Sequence, residues 1–134
     1  MRKCILIFCS LIFISGPAFS QLNLEIEISG IINDKGKIML QLYDGKETTV
    51  NQAMGDIKDN KCMLSFKNLK AGKYAIRYFH DENGNGELDT NAFGIPKEGY
   101  GFSNNAKGSF GPPAFEKWIF DLNENKKLAL KINN

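Results

Sequence analysis

Asp81, Asn83, Asn85, Glu87 and Asp89 place an oxygen donor at every second position of the run Asp81-Glu82-Asn83-Gly84-Asn85-Gly86-Glu87-Leu88-Asp89. That spacing suits a hard cation, because calcium takes about six to eight oxygen ligands and a short loop supplies them by turning alternate residues inward. Asp81, Asn83 and Asn85 fill the first three slots, and Gly86 sits sixth, where the sharp turn favours a residue without a Cβ. Glu87 then supplies its carbonyl, Leu88 anchors the loop, and Asp89 occupies the ninth, often water-bridged slot. The twelfth position is Ala92, where a helix-loop-helix calcium site carries a bidentate glutamate, so the loop is not a standard EF-hand. Glu98, Asp44 or the side chain of Asn104 must complete the ligand set, and spacing does not choose among them. With asparagines replacing two carboxylates, the expected affinity for Ca2+ is weak, roughly 10⁻⁴ to 10⁻³ M. The competing explanation is turn chemistry alone, since Asn83-Gly84 and Asn85-Gly86 both tolerate positive φ.

Other chemistries have thinner support. His80 beside Asp81 could serve as a base and its orienter, with Ser103 or Ser109 as nucleophile, in a small hydrolase. No nucleophile-elbow glycine pattern surrounds either serine, and a lone histidine at a strand end is more often hydrogen-bonded structure. A transition-metal site using His80, Asp81 and Glu98 would rest on a single imidazole. The expected protein is therefore non-enzymatic, without catalytic residues. Its candidate ligand surface is the aromatic stretch beside the acidic loop, with Tyr100 and Phe102 as stacking platforms and Asn104 and Asn105 as polar specifiers of a protein or glycan. Against that stands a simpler role for most of the aromatics Phe93, Tyr100, Phe102 and Phe110, as a plug folded back on the core.

The elements that position these residues read as β-strands. Leu22, Leu24, Ile26 and Ile28 alternate with polar residues, as in a half-buried strand, and Ile38, Leu40 and Leu42 share one face of Lys37–Tyr43. Asn33-Asp34-Lys35-Gly36 between them is a turn, which predicts a hairpin. Asp44–Asn60 is polar and weakly patterned and reads as a crossover loop. Alternation resumes at Lys61–Leu69, where Cys62, Leu64 and Phe66 share a side, and Cys62 reads as a small buried apolar residue. Tyr74–His80 is apolar on both faces, the mark of a central strand. Lys117–Leu122, with Trp118 and Phe120 on one face, and Leu128–Ile132 make the last two strands, across Asn123-Glu124-Asn125. Six to seven short strands predict one all-β domain, a single antiparallel β-sandwich of immunoglobulin-like type, with a closed barrel as the alternative. Thr90–Pro113, rich in glycine and aromatics, would be an unusually long loop for such a domain.

The N-terminus reads as a secretory signal peptide over residues 1–20. Arg2 and Lys3 precede the apolar run Ile5–Ile14, followed by Gly16-Pro17 and the small-residue site Ala18-Phe19-Ser20. The run is too short for a membrane span, which needs about 20 residues. Cleavage after Ser20 leaves residues 21–134 as one periplasmic or secreted domain, and removes two basic residues and with them the formal charge of +2. A neutral chain gives no reason to expect nucleic acid. Cys4 and Cys9 leave with the leader, so Cys62 has no intramolecular partner. Strand edges could pair, but nothing in the pattern specifies it, and a monomer is the expectation.

The His80-Asp81-Glu82-Asn83 loop, the run Glu98-Gly99-Tyr100-Gly101-Phe102-Ser103-Asn104-Asn105 and the later Phe110-Gly111-Pro112-Pro113 together resemble the bacterial exported family called domain of unknown function 2141. The likeness covers nearly the whole chain after the leader and implies no activity. The connection Asn68–Tyr74 resembles that of prealbumin-like and carboxypeptidase-regulatory sandwich domains, which implies that fold and nothing about function.

Overall fold

The structure, a computed structural model, describes residues 14–16 and 21–134, so the signal peptide expected over residues 1–20 lies mostly outside the described residues. Strand β1 (Leu22–Ser29) forms where the alternation predicts it, burying Leu22, Leu24, Ile26 and Ile28. Strand β2 (Lys37–Asp44) buries Ile38, Leu40 and Leu42 in the same way. The remaining strands are β3 (Thr49–Asp56), β4 (Cys62–Leu69), β5 (Gly72–Asp81), β6 (Tyr100–Phe102), β7 (Ile119–Leu122) and β8 (Lys126–Lys131).

They make two sheets. One has the order β4-β1-β8; in the other β3-β2-β5-β6 run in sequence and β7 also pairs with β5. The one-faced stripes of β1 and β2 meet across the core, together with Ile76 and Tyr78 from β5 and Leu130 from β8. Apolar burial is non-directional, so two such faces stacked on each other exclude water from both at once. Tyr78 also links the sheets by donating its hydroxyl to the Lys131 carbonyl at 2.5 Å.

Several expectations are corrected. β1 and β2 do not form a hairpin but lie in opposite sheets. Their linker is drawn across the core by Ile31, which is buried and donates its amide to the Asn60 carbonyl. The Asp44–Asn60 segment is not a crossover loop, because it contains β3, an edge strand paired antiparallel with β2. Its alternation is invisible because most of its residues are exposed on both sides. Among the described residues the sandwich has eight strands and is not wholly antiparallel, since β8 runs parallel to β1. Trp118 and Phe120 do not share a face: Phe120 enters the main core, while Trp118 packs in a separate cluster with Tyr43, Ala75 and Phe102. Thr90–Pro113 is not structureless, for it carries a Thr90–Pro96 bridge, β6 and a 3-10 turn at Ser103–Asn105.

The central position of β5 holds. Its first half pairs with β7 and its second with β6, on the edge opposite β2. Its C-terminal residue, Asp81, opens the acidic loop.

Candidate functional site

The loop after β5 is organised around two buried carboxylates. Asp81 Oδ1 accepts the amides of Gly84 and Asn85 at 3.0 and 3.1 Å, and its Oδ2 accepts that of Gly86 at 2.8 Å. Gly84 and Gly86 both have positive φ, which wraps the chain tightly enough for three amides to reach one side chain. Glu98 holds the other side, its Oε1 accepting from Glu82 N and its Oε2 from Asp89 N, both at 3.1 Å. Burying carboxyl groups is costly without such donors, and among the described residues the hydrogen-bond partners of both are main-chain amides. At the strand end Gly36 is obligatory, because a Cβ there would lie 1.9 Å from the Asp81 carbonyl oxygen.

The remaining donors of the predicted calcium loop gather at Asp89. Asn85 Nδ2 donates to its Oδ1 at 2.7 Å, and Asn83 Nδ2 donates to its Oδ2. The asparagine oxygens accept loop amides in turn, Asn83 Oδ1 from Asn85 N and Asn85 Oδ1 from Glu87 N. Glu87 is exposed, and Leu88 is half-buried. Among the described residues no group of three or more histidine, cysteine, aspartate or glutamate side chains is arranged to hold a metal ion.

Of the three residues considered for completing the ligand set, only Glu98 lies against the loop. Asp44 stands at the other end of β2, seven residues and roughly 23 Å along the strand from the Lys37–Asp81 pair. There it accepts the amides of Lys46 and Thr48. Asn104 is at the β6–β7 junction, where its Nδ2 donates to the Lys117 and Ile119 carbonyls at 3.2 and 2.8 Å.

The residues named for catalysis are dispersed. His80 is buried, and its Nε2 lies 2.6 Å from the Lys35 carbonyl oxygen, which makes that nitrogen the protonated one. His80 and Asp81, as neighbours on a strand, point to opposite faces and have separate partners. Ser103 is fully buried: its Oγ accepts from Ile76 N at 2.9 Å and donates to the Trp118 carbonyl. Ser109 is exposed in the loop beyond.

The four residues of the expected ligand surface have different surroundings. Phe102 is buried against Trp118, with ring centroids 5.0 Å apart, so it is no stacking platform. Asn105 Oδ1 accepts from Lys131 N, and like Asn104 it is a positive-φ residue that ties loop to strand. The plug holds for Phe102 and for the half-buried Tyr100 that packs on it, joined there by Trp118 and Phe115, but it covers the outer face of the five-stranded sheet rather than an end of the core. Phe93 and Phe110 do not join it and are exposed.

The part of that outer face beyond the plug was not foreseen. The registers align Met54, Met39, Phe79 and Tyr100 in one row across β3, β2, β5 and β6. Gln52, Gln41 and Arg77 form the next row, with Arg77 Nη2 donating to Gln41 Oε1 at 2.6 Å. Leu88 and Gly86 overhang the Phe79–Tyr100 end of the first row and, with Gln41 and Arg77, bound a cleft of about 300 Å³, while Met39 and Met54 line a neighbouring hollow of about 210 Å³ with Phe79 and Gly86. Its signal in the sequence is the second face of β2, where Met39 and Tyr43 flank Gln41.

A family model described as "Uncharacterized protein conserved in bacteria (DUF2141)" matches residues 26–129. No match was found among curated proteins or among solved structures.

Proposed function

Because this chain belongs to the uncharacterised bacterial family DUF2141, whose description assigns no activity, we propose from its surface alone that it is a non-enzymatic binding module for a protein or glycan. The carrying observation is the cleft that Phe79 and Tyr100 floor beneath Leu88 and Gly86, continued along the same row by Met39 and Met54. An apolar cleft beside a few fixed polar groups, here Gln41 and Arg77, is the common form of a recognition site. Methionines adapt to varied partners, and the half-exposed Phe79 and Tyr100 offer ring surface. The loop clamped by Asp81 and Glu98 forms one wall, which gives the buried carboxylates a purpose in holding the cleft open. The leader-like residues 1–20 support export, to the periplasm or beyond.

Arrays of oligosaccharides and of peptides test this reading, probed with the wild-type protein and with Phe79→Thr. Binding that falls at least tenfold in the variant, while its thermal unfolding stays cooperative, supports the cleft. Failure to bind any member of either array, or binding indifferent to Phe79, overturns it.

Calcium belongs to the same proposal as a ligand of the loop, through Asp81, Asn83, Asn85, Asp89 and the Glu87 carbonyl. What supports it is the alternate spacing of oxygen-bearing side chains from Asp81 to Asp89. Thermal unfolding in chelator and in calcium is its test.

A further inference from the structure

We propose that Asn83 and Asn85 are sites of spontaneous deamidation that the Asp81 side chain holds closed, so that their modification is a slow, one-way unlatching of the acidic loop. They head the two Asn-Gly pairs of the chain, Asn83-Gly84 and Asn85-Gly86, and no other asparagine is followed by glycine. All four residues are exposed, so water reaches them and ammonia can leave. Glycine makes such a pair reactive, because the attacking nitrogen belongs to a residue with no Cβ to block its approach and with wide backbone freedom.

The reaction begins when the Gly84 nitrogen attacks Asn83 Cγ. A C–N bond forms, the Cγ–Nδ2 bond breaks, and ammonia leaves with the proton that the Gly84 amide gives up. Water then opens the cyclic imide at either carbonyl. One opening gives an aspartate, and the other gives an isoaspartate, with the main chain rerouted through the side-chain carbons. Gly86 attacks Asn85 in the same way.

Ring closure requires the main chain to turn until the glycine nitrogen lies over the side-chain carbonyl carbon, and each moving part is tied here. Gly84 N donates to Asp81 Oδ1 at 3.0 Å and Gly86 N to Asp81 Oδ2 at 2.8 Å, so one carboxyl group fixes both attacking peptide planes. The targets are fixed as well, since Asn83 and Asn85 each give Nδ2 to Asp89 and take a loop amide on Oδ1. Attack must therefore await a local opening that releases these bonds. An isoaspartate lengthens the main chain by one carbon, and either product puts an oxygen where an Nδ2 donor faced Asp89. A loop modified at one site does not reclose in its first form. Because both glycine amides share Asp81, the first modification frees the second pair.

Peptide mapping by mass spectrometry during incubation of the purified protein at neutral pH is the experiment, run in chelator so that no bound cation protects the loop. The folded wild type is expected to deamidate at both sites at least tenfold more slowly than the same chain unfolded in urea. Asp81→Ala, checked for cooperative unfolding, should raise both rates at least tenfold. Asp81→Asn, a milder change that keeps an acceptor for one of the two glycine amides, should speed one site more than the other. Glu98→Gln loosens the other side of the loop but leaves Gly84 and Gly86 bound, and should stay near the wild-type rates. In the wild type the doubly modified loop should exceed the product of the two single fractions. A folded wild type that reacts as fast as the unfolded chain overturns the proposal, and so does Glu98→Gln matching Asp81→Ala. Unchanged rates in Asp81→Ala overturn it too, while lower ones would make the Asp81 carboxyl group the base that draws off the proton, the opposite of a clamp. Independent modification of the two sites overturns the shared hold of Asp81 on both.

Discussion

Ser103 fills the one gap on the outer edge of β5, accepting the Ile76 amide at 2.9 Å. The β7 ladder ends at Ala75 and the β6 ladder begins at Arg77, so Ile76 lies between two short strands that share that edge. The same hydroxyl donates to the Trp118 carbonyl, joining β5, β6 and the start of β7 at a buried point. Ser103→Ala leaves the Ile76 amide buried without an acceptor, and the expected cost is about 1–3 kcal/mol in urea unfolding. Amide exchange at Ile76 should accelerate more than at Tyr78. Asn104→Ala, which removes an exposed tie to the Lys117 and Ile119 carbonyls, should cost less.

The two clamps of the acidic loop should differ in weight. Asp81 accepts three amides and Glu98 two, each a hydrogen bond to a buried carboxylate. Glu98→Gln keeps one acceptor but turns an amide donor toward a main-chain N–H, for an expected loss of about 1–2 kcal/mol. Asp81→Ala removes the side-chain acceptor of the Gly84 and Gly86 amides and one of the two of Asn85, and should cost about 3 kcal/mol or more. Amide exchange separates the two, since Glu98→Gln exposes Glu82 and Asp89 whereas Asp81→Ala exposes Gly84 and Gly86, the Asn85 amide keeping Asn83 Oδ1.

Cys62 predicts an alkaline weakness. Burial, with the Asp56 carboxylate adding to it, pushes its thiol from 9.0 up to about 11. The folded state thus favours the protonated thiol. Its contribution is whole below the unfolded value and is lost as pH rises from about 9 toward 11. Burial raises Tyr78 in the same direction. Stability measured by urea unfolding should fall across that window, and Cys62→Ala should reduce the slope there while lowering stability at neutral pH. A disulfide reagent at pH 8 should label Cys62 only as fast as the protein opens.

The faces of β1, β2 and β4 were legible because each buries one apolar stripe, and alternation reports which residues turn inward. It does not report which strand lies alongside, and for that reason the β1–β2 hairpin was wrong although both strands were right. β3 escaped because an edge strand exposed on both faces leaves only Ala53 and Gly55 partly covered. The acidic loop was legible as a turn, and Glu98 as one of three candidates to complete it. Its selection over Asp44 and Asn104 depends on β2 and β5 running antiparallel, which sends Asp44 to the far end. Asn104 and Asn105 looked like specifiers, but their positive φ shows the ordinary use of asparagine in left-handed turns.

Calcium must compete with hydrogen bonds the loop already makes. Asn83 and Asn85 present their Nδ2 groups to Asp89 and their Oδ1 atoms to the amides of Asn85 and Glu87. To ligate through oxygen, each side chain must reorient and give up part of that network, which keeps the expected affinity weak. At a calcium concentration ten times the dissociation constant, mass action should stabilise the native state by about 1.4 kcal/mol, read as a rise in Tm over the protein in chelator. Asp89→Ser is the informative variant, because it removes a carboxylate from the gathering point without touching the three amides on Asp81. Its unfolding in chelator should stay near that of the wild type while the calcium response disappears. An unchanged response places any bound cation elsewhere, and no response in the wild type leaves the loop as a wall held by hydrogen bonds alone.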